Sequence, residues 1–482
     1  MSDRSAYALY IDGTPERARD AFPVINPATE ETISDAPRAS RAQVEAAVEA
    51  AHRAQKPWGA DEDARRLALA GAAVRLAAHQ EEIARLITLE QGRPLKFALG
   101  EAAGAVAILR QYAELPLEPG ELTLRDDAER LVRVERRPFG VVAAITPWNV
   151  PIILLALKLA PALLAGNTVV AKPSEYTPLS TLRLAEIIGP EFPPGVFNVV
   201  SGAGETGQIL AEHPLVKNIA FTGSVATGRR IFSGAANDFK RFTLELGGND
   251  PALVLEDADP AAIAEKIFWG AFWNSGQICF AIKRLYVPER LAPALVAALS
   301  ARARRTVVGN GLDEKTELGP LSNSVQFERV RKLVDDARLQ GARVHAGGGP
   351  LAGPGYFYPP TIIGDVDNGV ALVDEEQFGP VLPVVVYTRL EEALRKINAN
   401  VYGLGASVWT ADSERGHAVL REIDVGLGWV NDHQNLHPGA PKGGFKWSGF
   451  GYEGGRQGLE AYSQLQTVNV NRALPVSQGE SP

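Results

Sequence analysis

Val141-Val142-Ala143-Ala144-Ile145 is a short, uninterrupted apolar run, and Thr146-Pro147-Trp148-Asn149 follows it. A helical stretch then covers about 152–165, and a second apolar run comes at Thr168-Val169-Val170-Ala171. Runs of this kind suit strands buried on both faces, and the helix between them makes a βαβ unit with parallel strands. The same texture continues through Phe197-Asn198-Val199-Val200, Asn218-Ile219-Ala220-Phe221 and Phe242-Thr243-Leu244-Glu245. Helical stretches near 178–188, 204–212 and 225–236 separate them, so further βαβ units and a parallel sheet are expected.

Upstream, Ser40-Arg41-Ala42-Gln43 has the capping-box pattern, and Val44, Ala47, Val48 and Ala51 recur after it at helical spacing. Residues 63–89 read as one or two amphipathic helices stopped by Gly92, and another helix is expected over 95–113. Downstream of Gly247-Gly248 the alternation resumes with Leu253-Val254-Leu255, a helix over 260–274, Leu285-Tyr286-Val287, Pro383 to Tyr387 and Ser407-Val408-Trp409. This predicts a second α/β domain. Leu131 to Arg137 reads as a half-exposed strand. Leu465 to Val470 alternates as an edge or pairing strand would, and the Gly-rich stretches 346–356 and 432–455 read as loops.

Composition bounds the function. The 482 residues suit two or three domains at about 150 residues each. A net charge of −8 argues against coating nucleic acid or an anionic membrane. No stretch of 18 uncharged apolar residues occurs and the start lacks a signal-peptide pattern, so a cytoplasmic location is expected. One cysteine, Cys279, excludes internal disulfides and Cys-rich zinc sites.

Several residues carry chemistry, each with a bland alternative. Gly202-Ala203-Gly204-Glu205-Thr206-Gly207 matches GxGxxG, but no acidic residue follows at about 20 residues to bind ribose, so a structural turn competes with nucleotide contact. Phe221-Thr222-Gly223-Ser224 precedes a helix, where Ser224 can meet a phosphate or simply cap the helix. In Lys172-Pro173-Ser174-Glu175, Lys172 and Glu175 can bind ribose hydroxyls or form a surface turn. Cys279 follows Ser275-Gly276-Gln277-Ile278, a loop composition, and is either a small hydrophobe or a nucleophile. Glu245, ending an apolar strand, suits either a buried base or a salt-bridged strand end, and Asn149, a polar amide inside the most apolar part of the chain, suits an oxyanion donor without requiring it.

Together these segments resemble the aldehyde dehydrogenase family. Pro147-Trp148-Asn149, Lys172 to Glu175, Phe221 to Ser224, Leu244 to Gly248, Gly276 to Cys279 and Glu376-Gln377-Phe378-Gly379-Pro380 stand in the family's order and at its spacing. Ile25 to Thr29 and Ser448 to Gly451 also fit, so the resemblance covers about residues 8–472.

The resemblance implies a Rossmann-type NAD-binding domain (1–117 and 138–247), an α/β catalytic domain (248–447) and a small β oligomerisation element (118–137 and 464–477). The last would pair the strand near 120–137 with the C-terminal strand of a neighbouring subunit in a homodimer or homotetramer. It implies that Cys279 attacks the aldehyde, that Asn149 helps hold the oxyanion, and that Glu245 activates the water that hydrolyses the thioester. Glu245 argues against release to CoA, because relatives of that type usually lack the glutamate. Ile145, Thr146, Pro147, Trp148, Lys172, Ser174, Glu175, Gly204, Phe221, Thr222, Gly223, Ser224, Leu246, Gly247, Glu376 and Phe378 would line the cofactor cleft. A carboxylate at Glu175 would repel a 2′-phosphate, which favours NAD over NADP. Val150, Leu154, Leu157, Trp273, Ile278 and Phe280 would wall the substrate pocket. Lys442 stands where the family commonly has an aromatic residue, and either attracts an anionic aldehyde or extends to solvent. No metal is implied.

Overall fold

The computed structural model describes residues 6–116 and 121–473. The eight-stranded first sheet is ordered Thr14–Glu16, Leu9–Ile11, Phe197–Val199, Thr168–Lys172, Val141–Ile145, Val216–Thr222, Arg241–Glu245 and Gly449–Phe450. The five strands from Phe197–Val199 to Arg241–Glu245 run parallel. Every residue of Val141–Ile145 and Thr168–Lys172 is buried, which is why both read as unbroken apolar runs.

The chain winds outward from Val141–Ile145 through Thr168–Lys172 to Phe197–Val199. It then returns to lay Val216–Thr222 on the other side of the starting strand. This reversal opens a crevice at the carboxyl ends of Val141–Ile145 and Val216–Thr222, where ligands of doubly wound sheets bind.

The second sheet is ordered Arg343–Ala346, Thr361–Gly364, Val381–Tyr387, Ile282–Pro288, Asp250–Val254, Gly405–Trp409 and Leu427–Val430. Only the four residues Leu246 to Asn249 join Arg241–Glu245 to Asp250–Val254. The carboxyl edge of the first sheet therefore meets the amino edge of the second, and the candidate site forms along that seam. Gly248 permits the approach, since a Cβ there would lie 2.5 Å from the carbonyl oxygen of Cys279.

The helices follow the sequence closely. Ser40 caps Arg41–Ala60 by accepting from the Gln43 amide at 3.3 Å, and the Gln43 side chain accepts from the Ser40 amide at 3.0 Å. The 63–89 region forms two helices, Glu62–Ala78 and Gln80–Gln91, and Gly92 ends the second at φ 96°. The helix expected over 225–236 stops at Gly234, followed by a short turn over Ala236–Asp238. Among the described residues, no helix is long and apolar enough to cross a membrane.

One expectation is corrected. The C-terminal strand Ser463–Asn471 does not require a neighbouring subunit: it runs antiparallel to Arg130–Pro138 of its own chain, from Ser463 opposite Pro138 to Asn471 opposite Arg130. The physical reason is the anchoring of the preceding segment. The Asn167 amide donates to the Tyr462 carbonyl at 2.9 Å, and Arg136 pairs with Glu460 at 3.0 Å, so the strand starts already beside its partner. Glu121–Asp126 covers the other side of Arg130–Pro138. Residues 118–120 and 474–477 of the expected oligomerisation element lie outside the described residues. The strands Leu9–Ile11, Phe445–Lys446 and Gly449–Phe450 were not foreseen, because two or three residues are too few to show a period.

Candidate active site

Cys279 sits in a loop between the helix Pro260–Phe272 and the strand Ile282–Pro288. Asn274, Ser275 and Gly276 take φ values of 53°, 54° and 71° in succession, a conformation L side chains rarely adopt. Such backbone persists only where its surroundings over-determine it. Here the Ser275 hydroxyl donates to Gly319 at 2.8 Å, and the Gln277 side chain donates to Asn274 at 3.0 Å and accepts from Ser322 at 2.9 Å. Gly276 is obligatory twice over, since a Cβ would lie 2.2 Å from the Gly379 carbonyl. The strained turn presents Cys279 half-buried rather than in the core. Burial pushes its thiol up to about 12; Lys283 pulls it down, while Glu245, Glu376 and Asp250 push it further up.

Asn149 follows the strand Val141–Ile145 at the crevice. Its side-chain amide is buried and donates to the Gln277 carbonyl at 2.9 Å, two residues before the thiol. Its backbone carbonyl accepts from Arg93 at 2.6 Å. Arg93 is wholly buried and ion-paired with Glu101, which also accepts from the Ile152 amide at 2.8 Å at the start of the helix Pro151–Leu164. Arg93 also donates to the Asn274 side chain at 3.0 Å. This buried pair ties the Asn149 turn to the Cys279 loop, and sequence reasoning missed it. The signal was available, because Arg93 stands between Gly92 and Pro94 and Glu101 recurs among buried alanines of the helix Leu95–Glu114.

Glu245 ends its strand as expected. Its carbonyl accepts from the Gly223 amide at 3.1 Å, and Gly449 pairs it from the other side. Its carboxyl is buried with one oxygen unpartnered among the described residues. Burial raises its pKa well above the carboxylate range and Glu453 raises it further, while Lys442 and Lys158 pull it back. Lys158 is buried in the otherwise apolar helix Pro151–Leu164, ion-paired with Glu453 and donating to the Thr222 hydroxyl at 2.5 Å. In the sequence Lys158 reads only as an interruption of the most apolar stretch, and nothing local marks Glu453 as its partner.

The cofactor candidates divide into those at the crevice and those beyond it. Ile145, Thr146, Pro147 and Trp148 leave one strand of the crevice, and Phe221, Thr222, Gly223 and Ser224 leave the other. Ser224 caps the helix Val225–Gly234 by accepting from Thr227 at 3.2 Å, so the capping reading is correct and leaves the helix start at the crevice. Lys172 is buried and donates to the Pro173 carbonyl at 2.8 Å. Burial lowers its pKa to about 8, opposed by Glu175. Ser174 reaches Glu175 at 3.5 Å. The GxGxxG motif lies elsewhere: Gly204 starts a helix after Phe197–Val199, two strands away from the crevice, and space around it is open. On the far side of the seam, the Gly248 amide donates to Glu376 at 3.0 Å. Gly247 has no room for a Cβ, which would lie 2.1 Å from the Glu376 carboxylate. Phe378, at φ 51°, meets Trp148 edge-on at 5.3 Å. Leu246 packs on Gly228, where a Cβ would come to 2.7 Å.

Among the pocket candidates, Leu157 and Ile278 are buried, while Val150, Leu154, Trp273 and Phe280 are half-buried. The Arg93 guanidinium lies 5.0 Å from the Trp273 ring, and Phe97 meets that ring edge-on at 6.2 Å. Lys442 is half-buried and exchanges two backbone hydrogen bonds of 2.8 Å with Glu453. No cluster of metal-ligating side chains occurs among the described residues.

Comparison with known proteins agrees with this arrangement. The family model described as "Aldehyde dehydrogenase family" matches residues 14–468. A betaine aldehyde dehydrogenase of Cereibacter sphaeroides is 39% identical over 479 residues, covering 98% of each chain. The structure of a betaine aldehyde dehydrogenase from Staphylococcus aureus in complex with NAD+ superposes with a TM-score of 0.94 at 31% identity, covering 99% of this chain and 97% of that one. A mutant aldehyde dehydrogenase from Bacillus cereus gives 0.94 at 35% identity over 97% and 96%. With the family's model matched over nearly the whole length and these structures superposing over nearly all of it, the chain belongs to the aldehyde dehydrogenase family.

Proposed function

We propose that the protein oxidises an aldehyde to its carboxylic acid with NAD as hydride acceptor, through a covalent thioester on Cys279. The observation that carries this reading is the seam itself. It joins a half-buried thiol, a buried amide bonded to the loop carbonyl two residues before that thiol, and a buried carboxyl at the end of the crevice. The Cys279 thiol gives its proton to solvent, the thiolate sulfur adds to the aldehyde carbonyl carbon, and the oxygen takes the negative charge. The Asn149 amide and the Cys279 backbone N–H stabilise that oxyanion. NAD, when bound, takes the hydride from the tetrahedral carbon and leaves the thioester. Glu245 then removes a proton from water as it attacks the acyl carbon, the C–S bond breaks, and the acid departs.

The crevice suits a dinucleotide. Lys172, Ser174 and Glu175 would hold the adenine-side ribose, with Gly204 near the base. The helix start at Ser224 would meet the pyrophosphate. Glu376 and Phe378, fixed by Gly248 and Trp148, would position the nicotinamide ribose and ring. The Glu175 carboxylate would repel a 2′-phosphate and so select NAD over NADP.

Betaine aldehyde, carried in the relatives' names, is a quaternary ammonium cation, and such cations are held by aromatic cages. Val150, Leu154 and Leu157 supply no aromatic face and Arg93 lies over Trp273, which leaves Phe280 as the one free aromatic wall among the pocket candidates, too few for a cage, while Lys442 adds positive charge beside Glu245. These features favour an uncharged or anionic aldehyde. Exposed Phe232, Trp447 and Phe450 form an apolar patch that a second copy of the chain would cover, giving a homodimer or homotetramer. A lone reduced thiol suits the cytoplasm.

The test compares betaine aldehyde with its uncharged isostere 3,3-dimethylbutanal, in NAD and without CoA. NADH and acid should form in equal amounts from the isostere, with the larger kcat/KM. Acid that appears only when CoA is added sinks the hydrolytic reading, and a preference for betaine aldehyde sinks the substrate assignment. In the same assay Asn149→Ala should lower kcat by about 10²–10³-fold, the usual cost of one oxyanion donor; an unchanged kcat would remove Asn149 from the oxyanion site.

A further inference from the structure

The strand Ile282–Pro288 is buried at every position, yet it carries Lys283 and Arg284 side by side. Alternation along the strand sends them to opposite faces. Arg284 donates to the Asn249 carbonyl at 2.8 Å and to the Tyr286 hydroxyl at 3.2 Å, a structural assignment that satisfies it. Lys283 turns the other way, beneath the proposed nucleophile. Its amine donates to the carbonyls of Ile278 and Cys279, each at 2.7 Å, and reaches that of Ala281 at 3.5 Å. It also stands 3.6 Å from the Glu376 carboxylate and 5.7 Å from the centre of the Phe378 ring. One buried cation thus gathers the nucleophile loop and the segment proposed to position the nicotinamide.

The surroundings make its charge matter. Asp250, Glu376 and Glu245 face the thiol from three different segments, and each opposes its ionisation. Burial pushes the Asp250 carboxyl up to about 7 and raises that of Glu376, and Lys283 pulls both down. His433 completes the cluster, its ring 3.9 Å from Asp250 and bonded to the Phe280 carbonyl at 2.7 Å. Burial lowers its pKa to about 3, so it is a neutral imidazole. Among these groups Lys283 supplies the positive charge that offsets three carboxyls around one sulfur.

We propose that Lys283 is a positioning residue for the reaction, holding the Cys279 loop by its carbonyls and stabilising the Cys279 thiolate by its charge. The inference rests on the reading of Cys279 as nucleophile, but its test does not need turnover. Cys279 is the only thiol in the chain, so iodoacetamide uptake reads that sulfur alone. Below the thiol's midpoint the alkylation rate follows the thiolate fraction, so a tenfold smaller fraction slows it about tenfold.

The experiment compares full-length wild type, Lys283→Met, Lys283→Gln and Lys283→Arg across about pH 7 to 9, using preparations of wild-type tryptophan fluorescence. Met removes charge and donors, Gln keeps a donor without the charge, and Arg keeps the charge. Alkylation should slow about tenfold or more in both Met and Gln at every pH, and Arg should restore it in part. Unslowed alkylation in whichever of Met or Gln keeps its fold, or a loss in Met that Gln fully restores, overturns the electrostatic role. Failure of the nucleophile reading itself would appear separately, as turnover that survives alkylation of Cys279.

Discussion

Cys279→Ser is expected to reduce NADH formation by about 10⁴-fold or more, the scale of loss when a covalent nucleophile is removed. A serine hydroxyl in this loop keeps the shape of the thiol but ionises far less readily, and the site offers no imidazole to deprotonate it. The histidine packed nearby, His433, bonds the Phe280 carbonyl through Nε2, and burial lowers its pKa to about 3, which makes it a poor base. The residues proposed to hold the adenine-side ribose and the pyrophosphate lie across the seam, and a thiol-to-hydroxyl exchange leaves the shape beside Glu376 unchanged, so NAD affinity should remain within about twofold of wild type, within the small scatter of neutral substitutions. Titration of NAD by protein fluorescence, beside a steady-state assay, separates the two effects. Wild-type turnover in the serine variant would remove Cys279 from the mechanism. The single thiol adds a second measurement: one equivalent of alkylating reagent should abolish activity, with incorporation and loss running in step.

The parts of this site that were legible in the sequence share a physical property: they depend on local pattern. Val141–Ile145 and Thr168–Lys172 show as apolar runs because both faces are buried, and the capping box of Ser40 and Gln43 is written in four residues. Asn149, Glu245 and Cys279 stand out as polar groups ending apolar or strained segments, and the family's motif order joins them. What stayed hidden depends on partners far apart in the chain. Arg93 and Glu101 meet the Asn149 turn, and Lys158 meets Glu453 some 295 positions away. Each of these charges is tolerable in the interior only because its partner is there, and a buried pair leaves no periodic trace. Pairing of the C-terminal strand was misjudged for the same reason: strand alternation shows that a partner exists, not which chain supplies it. The GxGxxG motif shows the converse. Its pattern is local and clear, but strand order sets it two strands from the crevice, so it does not stand where the phosphate turn of an ordinary Rossmann fingerprint would, and topology is not written in six residues.

Glu245→Gln should separate the two halves of the reaction. Glutamine keeps the size of the side chain and can sit where one carboxyl oxygen now lies unpartnered, but it cannot take a proton from water. Formation of the thioester does not call on Glu245, so the first turnover should proceed and release about one NADH per active site. Hydrolysis should then stall, with the steady rate lower by about 10²–10⁴-fold, the usual contribution of a general base. Rapid-mixing absorbance reads the burst, and mass spectrometry of acid-quenched protein should find the acyl group on Cys279.

The pH dependence carries a sign. Burial and the neighbouring Glu453 raise the carboxyl well above the usual range, so in wild type the working carboxylate is the minority form at low pH. Deacylation should therefore accelerate as pH rises through that raised value and level off above it. In the glutamine variant this limb should vanish, leaving only the slow rise with hydroxide. Hydroxylamine cleaves thioesters without a base, so, added to the acylated variant after excess aldehyde has been removed, it should release the acyl group as its hydroxamate; once the hydroxylamine is removed in turn, fresh aldehyde and NAD should give a second burst of about one NADH per site, which excludes misfolding as the cause of the stall. A glutamine variant with wild-type steady turnover would show that water is activated by some other group.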